Sequence, residues 1–539
     1  MYRGIGISIY NMKPTLLFPA LAGTVLLTAC GQKEESKRPN ILFCIADDVS
    51  YPHASIYGTR WVNTPAFDRV AREGLLFENV YTCNAKSAPS RSSIITGRNS
   101  WQLEAAANHW PEFPAKFTSF AEVLLHNGYY TGGTGKGWGP GIAVDVNGVD
   151  RELTGKMWQD IKLQPPTAGI SDIDYAANFK EFLKNRPKGQ PFCFWYGSLE
   201  PHRKYEYASS IRYGKNIADI DSVPAFWPDN ETVRTDMLDY ALEIEHFDNH
   251  LGMMLQALEE AGELDNTLIV VTSDHGMPFP RCKGQEYEYS NHVPFAVMWK
   301  KGVKKTGRKV TELVSFIDLA PTFLEVAEIE EKTSGMQPIE GRSMTELFGS
   351  DAPVKERDFV LIGKERHDIG RPYDRGYPIR GIIKNGYLYL LNFEPTRWPS
   401  GNPEVGYANV DGSPTKTECI RSRTQEGKEQ YWQLSFGKRK TEELYHIETD
   451  RECMFNLVHD STLEKLKESM KREMLEKLTA QNDPRIIANG SIFDNYPFMG
   501  QERNAWNRMK AGEVVNLGFL SPTDFEPAAS GLPVDWEEY

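Results

Sequence analysis

At 539 residues, 40% hydrophobic and 25% charged, the chain is too long for one ordinary domain and too apolar to be disordered or fibrous. Lys+Arg number 61 against 74 Asp+Glu, a formal net charge of -13, which excludes a sequence-independent binder of nucleic acid or another long polyanion, because that affinity comes from clustered basic residues. An anionic substrate therefore needs a local cationic pocket, and 12 Trp, 24 Tyr and 26 Phe supply core material and stacking surfaces for flat ligands such as sugars.

Residues 1–29 read as an export signal. Lys13 precedes an apolar run from Leu16 to Leu27, and the run ends in Thr28-Ala29-Cys30-Gly31. This stretch is too short for a stable spanning helix. It resembles the lipoprotein export tags of some Gram-negative bacteria, which implies lipidation of Cys30, a polar tether over 30–38, and a periplasmic, outer-membrane or cell-surface protein held to the membrane by its lipid. The other cysteines, at 44, 83, 193, 282, 419 and 453, form no C-x-x-C pair, so a zinc finger is excluded. Cys44 and Cys193 lie inside apolar runs and read as core thiols, while a disulfide among the rest stays open.

Asn40-Ile41-Leu42-Phe43-Cys44-Ile45-Ala46 is continuously apolar, as a strand buried on both faces is, and Asp47-Asp48 follow its C-terminal end. Thr64-Pro65 predicts a helix start, with Phe67, Val70, Ala71 and Leu75 as its apolar stripe. The alternation continues with helix 118–127, strand 128–134, helix 173–185, strand 191–198, helix 232–261, strand 267–273, strand 293–299 and helix 318–328. Such a pattern predicts an α/β fold, a large mostly parallel sheet sandwiched by helices, with ligands beyond the carboxyl ends of its strands. Past residue 350 the texture changes to Pro-, Gly- and Arg-rich loops, the alternating strand Tyr387–Leu391 and the helix Leu463–Leu478. A catalytic domain over 39–350 and a smaller C-terminal α+β subdomain over 351–539, with an antiparallel sheet and a terminal helix, are expected.

Polar residues collect at the predicted strand ends: Asp47 and Asp48, Lys136, His202, and Asp274-His275. Between the first two lies Ser87-Ala88-Pro89-Ser90-Arg91, followed by Thr96-Gly97-Arg98. This run resembles the signature of the type I sulfatases of the alkaline phosphatase superfamily, Cys or Ser followed by x-Pro-Ser-Arg and then Thr-Gly-Arg. The resemblance extends from Arg38-Pro39-Asn40-Ile41 to Glu443-Leu444-Tyr445-His446-Ile447. It implies that Ser87 is oxidised to formylglycine, the Ser form pointing to an anaerobic-type sulfatase-maturating enzyme as partner. The Cys83 segment lacks the Pro and Arg at the needed offsets. The chemical reason for such a residue is turnover: a hydrated aldehyde carries two hydroxyls on one carbon, so one attacks sulfur and deprotonation of the other expels sulfate.

By the same resemblance Asp47, Asp48, Asp274, His275 and the modified Ser87 would hold Ca²⁺, for which carboxylate oxygens are suited; the family commonly has Asn where this chain has His275. Arg91, one helical turn from Ser87, would steady the nucleophile, with a helix N-terminus at Ser90 adding N–H donors. Lys136 and Lys283 would bind sulfate, and His202 would protonate the leaving group. Gly135-Lys136-Gly137-Trp138 lacks the His that usually follows this Lys, leaving the base unassigned, with His109 a candidate.

Gly276-Met277-Pro278-Phe279-Pro280, Pro201-His202-Arg203, His367-Asp368 and Tyr377-Pro378-Ile379-Arg380 resemble the heparan N-sulfatase branch. The expected substrate is therefore a sulfated glycan oligosaccharide of the N-sulfoglucosamine or heparan type. His109, Arg203, His367, Asp368 and Arg380 are expected to bind it, with Arg366, Arg371 and Arg375 as further cations and Trp101, Trp110 and Trp138 for stacking. The alternatives are an O-sulfatase acting on GlcNAc or galactose of host glycans and a phosphodiesterase of the same superfamily. A glycan-binding lipoprotein whose Ser87 is never oxidised is the non-enzymatic alternative.

Overall fold

The computed structural model describes residues 38–349, 354 and 356–526, so the export signal and Cys30 lie outside the described residues. Its largest sheet has eight strands in the spatial order Arg308–Val310, Leu75–Phe77, Phe295–Met298, Thr267–Ser273, Asn40–Ala46, Phe192–Gly197, Tyr130–Gly135 and Lys156–Met157. Every pairing is parallel except the two made by Phe295–Met298. The strand Asn40–Ala46 is at the centre, with Phe43 in register with Trp195 on one side and Val270 on the other.

The period of two explains why this strand is apolar throughout. Ile41, Phe43 and Ile45 pack with Ile94, Phe120, Leu124 and Phe323 of the helices Ser87–Thr96, Phe120–His126 and Leu319–Val326. Leu42, Cys44 and Ala46 pack on the other face with Val70, Phe179, Phe182, Leu251 and Leu255 of the helices Pro65–Glu73, Tyr175–Asn185 and Glu231–Glu260. Cys44 and Cys193 sit inside this sheet, burial pushing both thiols up, that of Cys193 to about 12. All six described cysteines are free and buried.

Two local expectations are corrected. Thr64 makes no side-chain cap on the helix Pro65–Glu73, because its Oγ1 accepts from the Ser55 N–H at 2.9 Å. Asp248 of the long helix caps it instead, accepting from the Ala66 and Phe67 N–H groups at 2.9 and 2.7 Å. The helix of the Ser87 motif begins at Ser87, not Ser90, so Ser87 occupies its first position.

A four-stranded antiparallel sheet follows in the order Phe359–Lys364, Ile379–Lys384, Tyr387–Asn392 and Glu442–His446. Its first tight hairpin turns at Asn385-Gly386, where φ is 51° and 75°, the two positive values that favour Asn-Gly. The helix Glu464–Ala480 covers one face of this sheet through Met470, Met474 and Leu478. It is not the last helix: Ala505–Lys510 lies beyond it, and Phe498 and Phe519, on either side of that helix, return to a cavity at the strand ends of the large sheet. No helix among the described residues is long and apolar enough to cross a membrane.

Candidate active site

Asp47 and Asp48 leave the central strand, and Asp274 leaves its neighbour, where the parallel ladder ends. Asp48 has a φ of 84°, uncommon for a residue with a side chain, and its N–H donates to Asp274 Oδ1 at 3.1 Å. Lys136 follows the strand Tyr130–Gly135, its N–H donating to the Gly197 carbonyl at 2.6 Å. A Cβ on Gly197 would stand 1.8 Å from the Lys136 carbonyl oxygen, so this approach requires glycine.

These ends surround Ser87. Its Oγ is 3.0 Å from Lys136 Nζ and 3.3 Å from both Asp47 Oδ1 and His275 Nε2. Lys136 Nζ also donates to both Asp47 oxygens at 2.7 Å. Arg91, wholly buried, donates to Asp274 Oδ2 at 2.9 Å, Asp47 Oδ1 at 3.2 Å and the Lys136 and Gly137 carbonyls at 3.0 and 2.9 Å. It thus ties three strand ends together and leaves the pocket wall to the lysines. Lys283 Nζ lies 2.7 Å from Asp48 Oδ2 and 2.7 Å from Asp411 Oδ2.

Charge here is concentrated and paired. Burial alone would raise the Asp48 carboxyl, but Lys283, then His275 and His202, hold it well below the usual carboxylate range. Asp274 is also held low against burial, by His275, Arg91 and Lys136. Burial would lower Lys283, yet Asp411 and Asp48 keep it firmly charged.

The donors fit a hard divalent cation. Ligand atoms of Asp48, Asp274 and His275 all lie within 4.8 Å of one another in the buried interior. His275 Nδ1 faces the Gly276 carbonyl at 3.0 Å and donates to it, which leaves Nε2 facing Asp48 Oδ1, 3.0 Å away. That buried Asp48 oxygen makes no hydrogen bond among the described residues. These converging ligand atoms, with Ser87 Oγ beside them, form a cradle for a cation.

Ser87 opens into a cavity of about 210 Å³ whose walls include Lys86, His109, Trp110, Lys136, His202, Lys283, Asp368 and Asp411. His202 Nδ1 donates to the Arg203 carbonyl at 2.7 Å, fixing the ring so that Nε2 is the atom left for the pocket. His109 Nδ1 accepts from the Ala88 N–H at 3.4 Å, and burial, with Lys86 and Lys136 nearby, drives its pKa well down. Neutral and with Nδ1 occupied, His109 presents a donor rather than a base. Trp138, standing where the sequence comparison expects His, is turned into the core, its Nε1 donating to Ser92 Oγ at 2.7 Å and its ring against Phe113. Ser87 Oγ donates to Asp47 Oδ1 at 3.3 Å, and His275 Nε2 lies at the same distance.

Of the five expected sugar-binding residues, His109 and Asp368 line the cavity. Arg203, Arg380 and His367 do not, and the reason is pairing. Arg203 is bound to Asp236 by two 2.8 Å hydrogen bonds and packs on Phe279. Arg380 is wholly buried between Asp483 and Glu365, over the Trp101 ring. His367 is buried, with Nε2 2.7 Å from Asn84 Oδ1, where it braces the segment leading to Ser87. Arg366 and Arg371 are spent on main-chain carbonyls, and Trp101 is core. Arg203→Ala would strand Asp236 as a buried unpaired charge; a loss of roughly 3–5 kcal/mol is expected, seen as a lowered urea midpoint.

Sequence reasoning missed Lys86, 2.5 Å from Asp368, and Asp411, the partner of Lys283. It also missed Phe498, Glu502 and Phe519 of the cavity wall. Position next to Ser87 was a usable signal for Lys86; nothing in the local sequence marks the others.

Comparison with known proteins matches residues 39–329 to a family model described as Sulfatase. The chain is 29% identical over 457 residues to the ulvan-active sulfatase of Formosa agariphila, covering 83% of this chain and 81% of that one. It is 25% identical over 511 residues to the N-sulphoglucosamine sulphohydrolase of Homo sapiens, covering 88% and 97% respectively. The solved structure of BT4656 in complex with its substrate D-glucosamine-2-N,6-O-disulfate superposes with a TM-score of 0.58 at 19% identity, over 83% of this chain and 99% of that one, a likeness of fold.

Proposed function

Because this chain belongs to the sulfatase family and is an enzyme that hydrolyses sulfate esters or sulfamates, we propose that Ser87, matured to formylglycine, is its nucleophile and that its substrate is a glycosaminoglycan-type sugar, N-sulfoglucosamine first among them. The observation that carries this reading is the convergence of Lys136, Asp47 and His275 on Ser87 Oγ within 3.0–3.3 Å in the wall of the cavity. The near full-length match to the human N-sulphoglucosamine sulphohydrolase supports the choice of sugar.

Asp48, Asp274 and His275, with Asp47 and the side chain at 87, would hold Ca²⁺. Bound there, the ion would polarise the sulfate oxygens and favour the ionised nucleophile. Lys136 and Lys283 orient the sulfate and offset the charge that develops on its oxygens. Asp47, 3.3 Å from Ser87 Oγ and held by Lys136, takes the proton from the attacking hydroxyl. His202, fixed through Nδ1, gives a proton from Nε2 to the departing amine or hydroxyl, with ligand atoms of Asp48 and Asp411 within 4.8 Å of its own. Arg91 keeps these ends in place. An anaerobic-type maturase would act on Ser87 before export, and Cys30, outside the described residues, would carry the lipid anchor.

The test is sulfate released from N-sulfoglucosamine, 6-O-sulfated GlcNAc and 6-O-sulfated galactose by protein produced with its maturase. N-sulfoglucosamine should give the highest kcat/KM. Release confined to the O-sulfated sugars would move the assignment to them, and hydrolysis of a phosphodiester in their place would contradict the reading.

A further inference from the structure

The cavity's charged walls are of two kinds. Lys136 and Lys283 flank Ser87 and Asp48, where the sulfate must sit. The remaining charged side chains are Lys86, Asp368, Asp411 and Glu502, one ammonium against three carboxylates. Asp368 is neutralised by Lys86 at 2.5 Å and Asp411 by Lys283 at 2.7 Å. Glu502 is different. It lines the cavity, is half-buried, and its carboxylate has no hydrogen-bond or ion-pair partner among the described residues. No arginine is among the residues lining the cavity.

Glu502 reaches the site from outside the catalytic sheet. It lies between Phe498 and Phe519, which line the same cavity, and Phe498 packs on Trp110 at 6.1 Å between ring centroids. The segment is anchored there: the Met499 N–H donates to the Trp110 carbonyl at 2.9 Å, and Arg366 donates to the Tyr496 and Pro497 carbonyls at 2.6 and 3.2 Å. The carboxylate therefore stands on a fixed aromatic wall rather than on a free tail.

A bound sugar presents its non-sulfated substituents to such walls. A hydroxyl or an ammonium can donate to Glu502 in a charge-assisted hydrogen bond. A uronate carboxylate or a second sulfate meets like charge in a space where the ligand has displaced water, and the ammonium groups lining the cavity are already engaged, Lys86 with Asp368, Lys136 with Asp47 and Lys283 with Asp411.

We propose that Glu502 is a specificity-determining residue that restricts this enzyme to a neutral or amino hexose bearing one sulfate, excluding uronic acids and doubly sulfated rings at the reacting position. The proposal rests on the sulfated-sugar reading above and narrows it. Glu502 acts on the choice of sugar, while the sulfate-handling residues act on every substrate alike.

The experiment measures kcat/KM for sulfate release by the matured full chain. The substrates are singly sulfated glucosamine, GlcNAc and galactose, glucosamine carrying both N- and 6-O-sulfate, and 2-O-sulfated iduronate. The wild type should favour its best singly sulfated sugar over the last two by about tenfold or more, the size of one unfavourable charge contact. Glu502→Gln should bring that ratio to within about threefold, and Glu502→Lys should turn it toward the more anionic sugars. A structural defect would lower all the rates and leave the ratio standing, so the ratio separates the two causes. Equal or faster turnover of the doubly sulfated sugar or the iduronate by the wild type overturns the inference alone. An unchanged ratio in both variants does the same. Sulfate release from none of the sugars overturns the sulfated-sugar reading and takes the inference with it.

Discussion

Ser87→Ala should remove sulfate release while leaving the fold intact. A fall in kcat of roughly 10⁴-fold or more is expected, the scale on which a preorganised site loses its nucleophile. The structure separates this effect from stability. Ser87 is the first residue of its helix and its Oγ caps nothing, Lys86 being the residue at the cap position. Its removal leaves Lys136 bound to both Asp47 oxygens at 2.7 Å and Arg91 bound to Asp47 and Asp274. Alanine is also well suited to a helix. Thermal unfolding of Ser87→Ala should match the wild type to within about 1 kcal/mol, and a variant that unfolds early would mean that Ser87 holds the structure together instead.

The second large effect is expected from calcium. Asp48 Oδ1 is buried without a hydrogen bond among the described residues and faces His275 Nε2 at 3.0 Å. A cation that binds this cradle only in the folded chain stabilises it by about 2.7 kcal/mol at a hundredfold excess over its Kd. The wild-type Tm should therefore rise as Ca²⁺ is added and fall with a chelator, and sulfate release should be lost and regained in parallel. Asp274→Asn should blunt the Tm response. It keeps an acceptor for the Asp48 and His275 N–H groups, which donate to Asp274 Oδ1 at 3.1 and 3.0 Å. A wild-type Tm indifferent to Ca²⁺ and chelator would contradict the calcium assignment, and it needs no turnover to be read.

The strand ends were legible because a strand buried on both faces must be apolar over its whole length. Asn40–Ala46 and Thr267–Ser273 therefore announce themselves, and the first polar residues after them fall where a parallel sheet binds ligands. The helix of the Ser87 motif was visible too, but its start was not. Ser90 looks like a cap, yet in the structure its Oγ donates to the Asp274 carbonyl at 2.6 Å, and the helix begins at Ser87.

Arg203 and Arg380 were expected at the sugar because sequence does not record which charges are already paired. Arg203 and Arg380 look free in a loop-rich chain, but their partners are Asp236 and Asp483, brought to them only by the fold. Asp411 and Glu502 were missed for the complementary reason. Neither belongs to a periodic element, and each enters the site from the C-terminal region. The net charge of -13 fits this arrangement: the lysines proposed to meet sulfate are few, local and held by carboxylates.

The central claim is that position 87 carries the nucleophile as formylglycine. It is tested most directly by the mass of the proteolytic peptide containing Ser87, from protein produced with an anaerobic-type maturase and assayed for sulfate release in the same preparation. The account predicts a peptide lighter by two hydrogens at residue 87, in a fraction that tracks the specific activity. Full activity from a preparation whose Ser87 is wholly unmodified would contradict it.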